Sequence, residues 1–421
     1  VYIKKFAYGN ATSEDFWRSL AEASMRPVDK IMPTFVEQPG APLITVKASC
    51  VAPPPEPVVR RSKSKKSRRQ QIKPAEPKTE IVVEQSRFWD DSSAASPSST
   101  TWMVPLCVKT ATAKPFCQIV SQKKQTIPAT GCAPWVLANA GASGYYRTRY
   151  DGAVMQQLIA VAGTELTSAE RVSLLHDEAA LVDSGQESMA RYLDLVTALS
   201  TDPLSAVLNS YVPTLDEIHR YLLTDADKPA FLAWVRAIFG PVFAQVGWMP
   251  APGESDDRRS LRSDLIQIMG EIGEDPQVIR RAVELARQYM KDGRALDPSL
   301  AGSVLGVAAL SGDAELFQQF MDAWRNPAAT PEQRDNFARA LTRFKDPRLA
   351  QRWLETTMAE ARNQDAAGYI FGVLNNVAVN HAAWEWVKQH WPQVEAKLTA
   401  GSGLSVVLAT GSFCEAGAGD D

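Results

Sequence analysis

Five dipeptides from residue 202 onward set a capping side chain directly before a proline: Asp202-Pro203, Asp275-Pro276, Asp297-Pro298, Thr330-Pro331 and Asp346-Pro347. An Asp or Thr oxygen accepts from the orphan N–H groups of a helix's first turn, and proline at the first helical position gives up only an N–H the helix does not use. Each pair therefore reads as a helix start. Thr167 with Glu170, and Thr330 with Gln333, add capping boxes, and Ser184-Gly185 and Ser311-Gly312 read as stops. The segments between are short helices of about 12 to 20 residues. Short helices joined by tight turns predict a stacked, HEAT-like all-α array over residues 151–421 rather than one bundle. No clean repeat period accompanies it.

Upstream of Asp151 the texture differs. Residues 1–41 read as helical. Thr12 is placed to cap a helix by accepting from the N–H of Asp15, with Glu14 and Asp15 in the first turn, where the helix dipole favours negative charge. Phe16, Leu20 and Ala23 then form an apolar stripe that needs a partner. Pro27 opens a second helix with Val28, Ile31 and Phe35 on one face, and "EQPGAP" ends it. Residues 42–150 carry six short β-type runs, "LITVKA", "TEIVVEQ", "TWMVPLCV", "FCQIV", "PWVLAN" and "GYYRTRY", separated by turn chemistry, which predicts a small all-β sandwich. Within it, residues 52–78 are proline-rich at both ends and carry seven basic residues between Arg60 and Arg69. This insert reads as a disordered, solvated loop. The competing reading is an arm for nucleic acid or an anionic surface, against which stand the absence of interleaved aromatics and of a matching basic surface elsewhere.

The five cysteines are Cys50, Cys107, Cys117, Cys132 and Cys414, with no CxxC to suggest a zinc ribbon or a thioredoxin-like site. Cys107 and Cys117 flank "VKTATAKPF" and would face each other across a hairpin centred near Thr112. They are either a disulfide or two small buried hydrophobes. A net charge of −3 gives no global drive toward nucleic acid or acidic membrane, and no uninterrupted apolar run reaches the roughly 18 residues that span a bilayer.

A search for catalytic chemistry returns little. HExxH, GxSxG, a P-loop and GxGxxG are all absent from the sequence, and "GSGLS" (Gly401 to Ser405) lacks the lysine of a phosphate loop. The four histidines, His176, His219, His381 and His390, read as structural or surface residues. Asp177, Glu178 and Asp183 read as a solvated helix face. Trp384, Trp386 and Trp391 are expected to pack between helices, with Trp384 and Trp391 on one helix face. No catalytic, cofactor-binding or metal-ligating residue is assigned.

Five stretches in order resemble one family, the zinc aminopeptidases of the aminopeptidase N and puromycin-sensitive type. "YGNATSEDFWRSLAEAS" running into "PVDKIMPTFVEQPGAPLITV" resembles the end of the catalytic domain and the start of the next. "QSRFW", "WMVPL" and "WVLANAGASGYYRTRYD" resemble strands of the small sandwich. "LTSAERVSLLHDEAALVDSG" and "RNQDAAGYIFGVLNNVAVNHAAWEWVKQHW" resemble early and late parts of the helical domain. The resemblance implies three parts: 1–41 as the tail of a catalytic domain, 42–150 as the sandwich and 151–421 as the helical domain. It implies that the zinc site, the exopeptidase Glu and the oxyanion Tyr lie upstream of Val1, so this part is inactive alone. Its role would be to enclose the active-site chamber and gate entry of peptides, whose N-terminal residues the parent enzyme releases. The implied partners are peptide substrates and the upstream catalytic domain, with no specific nucleic acid and no transmembrane segment. The basic insert departs from the family pattern, and "GSFCEAGAGDD" resembles the start of final helices that do not follow. The alternative is a stand-alone helical-repeat module that binds a peptide or protein. The cysteines, and the exported members of the family, favour an extracytoplasmic place.

Overall fold

The computed structural model describes residues 2–51, 76–90, 100–399 and 401–413. The basic run Arg60 to Arg69 and Cys414 lie outside the described residues. The chain divides into two compact units, Val1–Leu199 and Ser200–Asp421.

After a single turn of helix at Tyr2–Lys5, the first unit continues with the helices Ser13–Ser24 and Val28–Val36, which pack on each other. Thr12 and Asp15 form a full capping box: each side chain accepts the other's backbone N–H. The expected Phe16–Leu20–Ala23 stripe is corrected. The helix buries Trp17, and Phe16 and Leu20 are 43% and 39% exposed. Burying Trp17 rotates the helix so that its neighbour's side chain, about 100° round the axis, faces outward.

Among the described residues seven strands follow: β1 (Pro42–Val51), β2 (Lys78–Arg87), β3 (Val104–Thr110), β4 (Ala113–Val120), β5 (Lys124–Thr130), β6 (Val136–Leu137) and β7 (Arg147–Tyr150). They form a four-stranded sheet, β5-β2-β1-β7, and a three-stranded sheet, β4-β3-β6. β1 pairs antiparallel with β2 and parallel with β7. Ile44, Val46, Ile81, Val83 and Ile127 of one sheet, and Val104, Leu106, Val108 and Val120 of the other, are fully buried. The alternation follows from the two-residue side-chain period of a strand. Buried Gln85 donates to the carbonyls of Trp102 (3.1 Å) and Gln122 (3.0 Å) and accepts the Trp102 N–H at 2.7 Å.

Strand β5, "KQTIPAT", was not among the six runs. Its polar residues hide the alternation, and Pro128 argues against a central strand. The edge position resolves this, because an edge strand tolerates proline. Cys107 and Cys117 stand directly opposite on β3 and β4 and are disulfide-bonded, with Cα atoms 4.0 Å apart. A second disulfide joins Cys50 to Cys132 across 82 residues of sequence.

Helices account for the rest. Four of the five proline-marked starts hold: Asp275, Asp297, Thr330 and Asp346 cap the helices Pro276–Lys291, Pro298–Leu310, Pro331–Leu341 and Pro347–Glu360. Asp202-Pro203 does not open a helix. Asp202 instead accepts the N–H of Leu204 at 3.0 Å, and a short helix begins at Ser205. A side-chain turn of this kind competes with helix initiation. Both capping boxes and both stops are present. The helix Lys228–Val246 is long and apolar enough, by length and composition, to cross a membrane. It carries Arg236, which donates to the Gly273 carbonyl at 2.9 Å, and it buries Phe231, Val235, Phe239 and Val242 within the second unit.

Candidate functional site

Two helices of the second unit end in π-helical turns. Val212–Glu217 continues into Ile218–Leu222, and Asp256–Gln267 continues into Ile268–Ile272. A π-turn inserts one residue per turn and so redirects the side chains after it, which is why such turns concentrate at functional sites. Here the first presents His219 and Arg220, and the second presents Glu271. Beyond the second, Gly273 leads into Glu274, whose φ of 43° lies in the left-handed region that a side chain disfavours.

The carboxylate of Glu274 has work at that position. Its Oε1 lies 3.1 Å from His219 Nε2 and accepts from Lys228 Nζ at 2.9 Å. Arg220 pairs with Asp216 at 2.8 Å and donates to the Asn375 carbonyl at 3.0 Å. Arg343, just beyond the helix Pro331–Leu341, ion-pairs with Glu271. Its guanidinium passes over Gly306, where a Cβ would lie 2.9 Å from Nη1.

These groups line one cavity of about 400 Å³, together with Lys345, Thr342 and Asn376. Four fixed cations (Arg220, Lys228, Arg343, Lys345) face three carboxylates (Asp216, Glu271, Glu274). Burial pushes the His219 imidazole below its ordinary value, with Lys228 adding to the effect against the pull of Glu274. Burial would raise Glu274, but Lys228 and then His219 outweigh it and hold the carboxyl below the usual range. At neutral pH the cavity therefore holds a neutral imidazole beside the ionised Glu274, and its cationic side chains outnumber its acidic ones four to three. Such a cavity suits an anion. A guanidinium carries five N–H donors, so one carboxylate partner does not saturate it.

The residues singled out from the sequence mostly fall elsewhere. Asp177 and Glu178 are not a solvated face: they are 3% and 0% exposed. Asp177 accepts from Thr148, and Glu178 is gripped by Arg191 through Nε (2.8 Å) and Nη2 (2.9 Å). The error has a physical cause. The arginines and the β7 backbone that satisfy these acids come from other elements, so the helix sequence alone resembles a charged exterior. Asp183 and His176 are exposed. Trp384 and Trp391 do not share a helix: Asn380–Gln389 stops at His390, and Trp391-Pro392 starts the next helix. Trp386 is the buried member, stacked on His390 with centroids 4.3 Å apart, while Trp384 and His381 meet Phe413. Of the four histidines only His219 lines the cavity. Glu271, Glu274 and Arg343 were missed. The one local cue was "GEIGED", where Gly270 and Gly273 bracket Glu271. Among the described residues, no group of three or more His, Cys, Asp or Glu side chains is arranged to hold a metal ion, and no metal-dependent step is assigned to them.

Comparison with known proteins supplies the wider setting. The family model for the ERAP1-like C-terminal domain matches residues 135–418. Aminopeptidase 2 of Candida albicans is 25% identical over 98% of this chain and 42% of its own length. Aminopeptidase M1 of Arabidopsis thaliana is 25% identical over 96% of this chain and 45% of its own. The puromycin-sensitive aminopeptidase of Caenorhabditis elegans is 24% identical over 76% of this chain and 32% of its own. The chain thus spans less than half the length of these relatives.

Proposed function

The chain belongs to the family of ERAP1-like C-terminal domains and corresponds to the C-terminal part of the aminopeptidases it resembles; from that premise we propose that it is the non-catalytic portion of a zinc aminopeptidase that removes N-terminal residues from peptides. In this reading the helices after Asp151 form a HEAT-like array that encloses the peptide chamber and gates entry to it. The zinc belongs to the parent's catalytic domain, where it would activate water against the first peptide bond. The residues described here bind and orient the peptide.

The observation that carries this reading at residue level is the π-turn cavity. Arg220 converges on it from a π-turn and Arg343 from the turn after the helix Pro331–Leu341, each held by its own carboxylate, with Lys228 and Lys345 alongside. We infer that the cavity takes the free carboxylate of a peptide. A preorganised guanidinium pair recognises a planar carboxylate through parallel N–H donors, which a single lysine cannot do.

The test uses two probes, N-acetyl-tetra-alanine as free acid and as C-terminal amide, titrated calorimetrically into the full chain. Binding of the acid alone, lost in Arg343→Gln, supports the reading. Equal binding of both probes, or of neither, defeats it. The pure chain is expected not to cleave alanyl-p-nitroanilide. For the compartment we propose an extracytoplasmic place, supported by the Cys50–Cys132 and Cys107–Cys117 disulfides. More than one maleimide-reactive thiol among the five cysteines in unreduced protein from its source cells would oppose it.

A further inference from the structure

His219 is the one group in the cavity whose ordinary pKa lies near neutrality. Its ring is held on one side by Glu274, from the turn after the second π-turn, and it faces Lys228 at the start of the Lys228–Val246 helix. Asp216 and Arg220 stand beside it on its own element, and Glu271, Arg343 and Lys345 complete the charged lining. In the empty cavity a proton on His219 would join four fixed cations. Burial and then Lys228 oppose that, against the pull of Glu274, so the ring holds its proton less tightly than an ordinary imidazole. An incoming carboxylate changes the balance, because it brings a negative charge into the same 400 Å³.

We propose that this cavity is a proton-coupled anion site: binding of a carboxylate there favours the protonated His219 ring, and the affinity rises as the pH falls. The proposal rests on the carboxylate-binding reading given above and adds its regulation. By linkage, a ligand that favours the protonated ring must bind more tightly where the ring is protonated, and the binding must take up protons from solvent. A unit charge about 6 Å from the ligand in a half-solvated cavity contributes on the order of a factor of 3 to 10 in affinity. The left-handed Glu274 gives the device its geometry. It holds His219 and Lys228 on one carboxylate oxygen, so the imidazole and the ammonium sense each other's charge. The consequence for a peptide-handling protein is retention of peptide carboxylates in acidic surroundings and their release near neutrality.

The experiment is calorimetric titration of the full chain with N-acetyl-tetra-alanine free acid at pH 7.5, 6.5 and 5.5, in two buffers of different ionisation enthalpy. The difference between buffers counts protons directly in the unaltered protein and needs no variant. The expected result is uptake of a fraction of a proton, at most about 0.3 to 0.5 per peptide, with affinity rising by up to about 3- to 10-fold as the pH falls from 7.5 to 5.5. His219→Gln should abolish the uptake and flatten the slope. Binding of the free acid with no proton uptake and no pH slope overturns the coupling and leaves the carboxylate reading standing. Uptake that persists in folded His219→Gln assigns the proton elsewhere and also overturns it. Failure of the free acid to bind at any pH sinks the reading of the site, and the coupling with it.

Discussion

Asp177 Oδ2 accepts both the backbone N–H of Thr148, at 2.9 Å, and the Thr148 hydroxyl, at 2.6 Å. Two donors on one buried oxygen tie strand β7 to the helix Ser168–Asp183, and Arg147 approaches the other oxygen at 3.3 Å. Asp177→Ala would leave the two Thr148 donors without their acceptor inside the fold, while Arg147 keeps the His176 carbonyl at 3.2 Å. Breaking a buried charged contact in this way costs about 2 to 4 kcal/mol. Because the chain has two units, the loss should be read as earlier exchange of the β7 and Ser168–Asp183 amides in hydrogen exchange, with the second unit unaffected. Unchanged protection there would mean that the contact carries little of the fold.

Acid should loosen the second unit through His219 and Glu274, and the signs agree. The folded value of His219 lies below its unfolded value near 6.5, so the unfolded chain binds the proton more tightly. Its contribution is present above pH 6.5 and is lost as the pH falls toward the folded value. The folded value of Glu274 is also depressed, so its contribution is present above about 4.5 and lost below. Thermal melts from pH 7.5 to 3.5 should fall in that order, and His219→Gln should remove the upper part of the slope. A slope unchanged in the variant would place the titration on another group. Free carboxylate peptide should offset the acid loss in the parent chain, since it stabilises the protonated ring.

The parts legible in the sequence are those fixed by local chemistry. Thr12, Thr167, Asp275 and Thr330 announce their helices because a cap and the donors it satisfies lie within three residues. The Cys107–Cys117 facing was readable because a hairpin sets opposition by counting from its turn. Cys50 and Cys132 gave no such count, since their meeting depends on β1, β2 and β5 assembling first. The burial of Asp177 and Glu178 failed for the same reason: Thr148 and Arg191 are remote in sequence. The site was the least legible part. A π-turn has no residue signature of its own, so nothing in "IHRYL" or "IMGEI" set them apart from ordinary helix, and Arg343 reaches Glu271 across 72 residues.

The two disulfides should differ in what they contribute. Closing a loop restricts the unfolded chain more as the loop grows. On chain-entropy grounds, separations of 82 and 10 residues correspond to about 4.5 and about 2.7 kcal/mol. Cys50→Ser with Cys132→Ser should therefore lower the melting of the first unit more than Cys107→Ser with Cys117→Ser. The hairpin pair has a further reason to matter less, because β3 and β4 remain hydrogen-bonded across a short turn. The reverse order would mean that unfolded-state entropy is not what these bonds contribute.

Gly306 separates the stability of the array from the geometry of the site. In a helix interior, Gly→Ala ordinarily stabilises by about 1 kcal/mol, because alanine has less backbone entropy to lose. At Gly306 the added methyl would meet Arg343 Nη1 at 2.9 Å, tighter than a real Cβ contact allows. That atom is the far end of a flexible side chain, so the guanidinium can swing aside while the helix Pro298–Leu310 stays in place. Gly306→Ala should therefore keep or slightly raise the melting temperature of the second unit. It should also break the Arg343–Glu271 pair and weaken free-acid peptide binding by about tenfold, the loss of roughly one charge-assisted hydrogen bond. Calorimetry and thermal melts on the same sample check both halves. Lost stability with intact binding would show that Arg343 cannot move and that the array, rather than the ligand, is what holds it there.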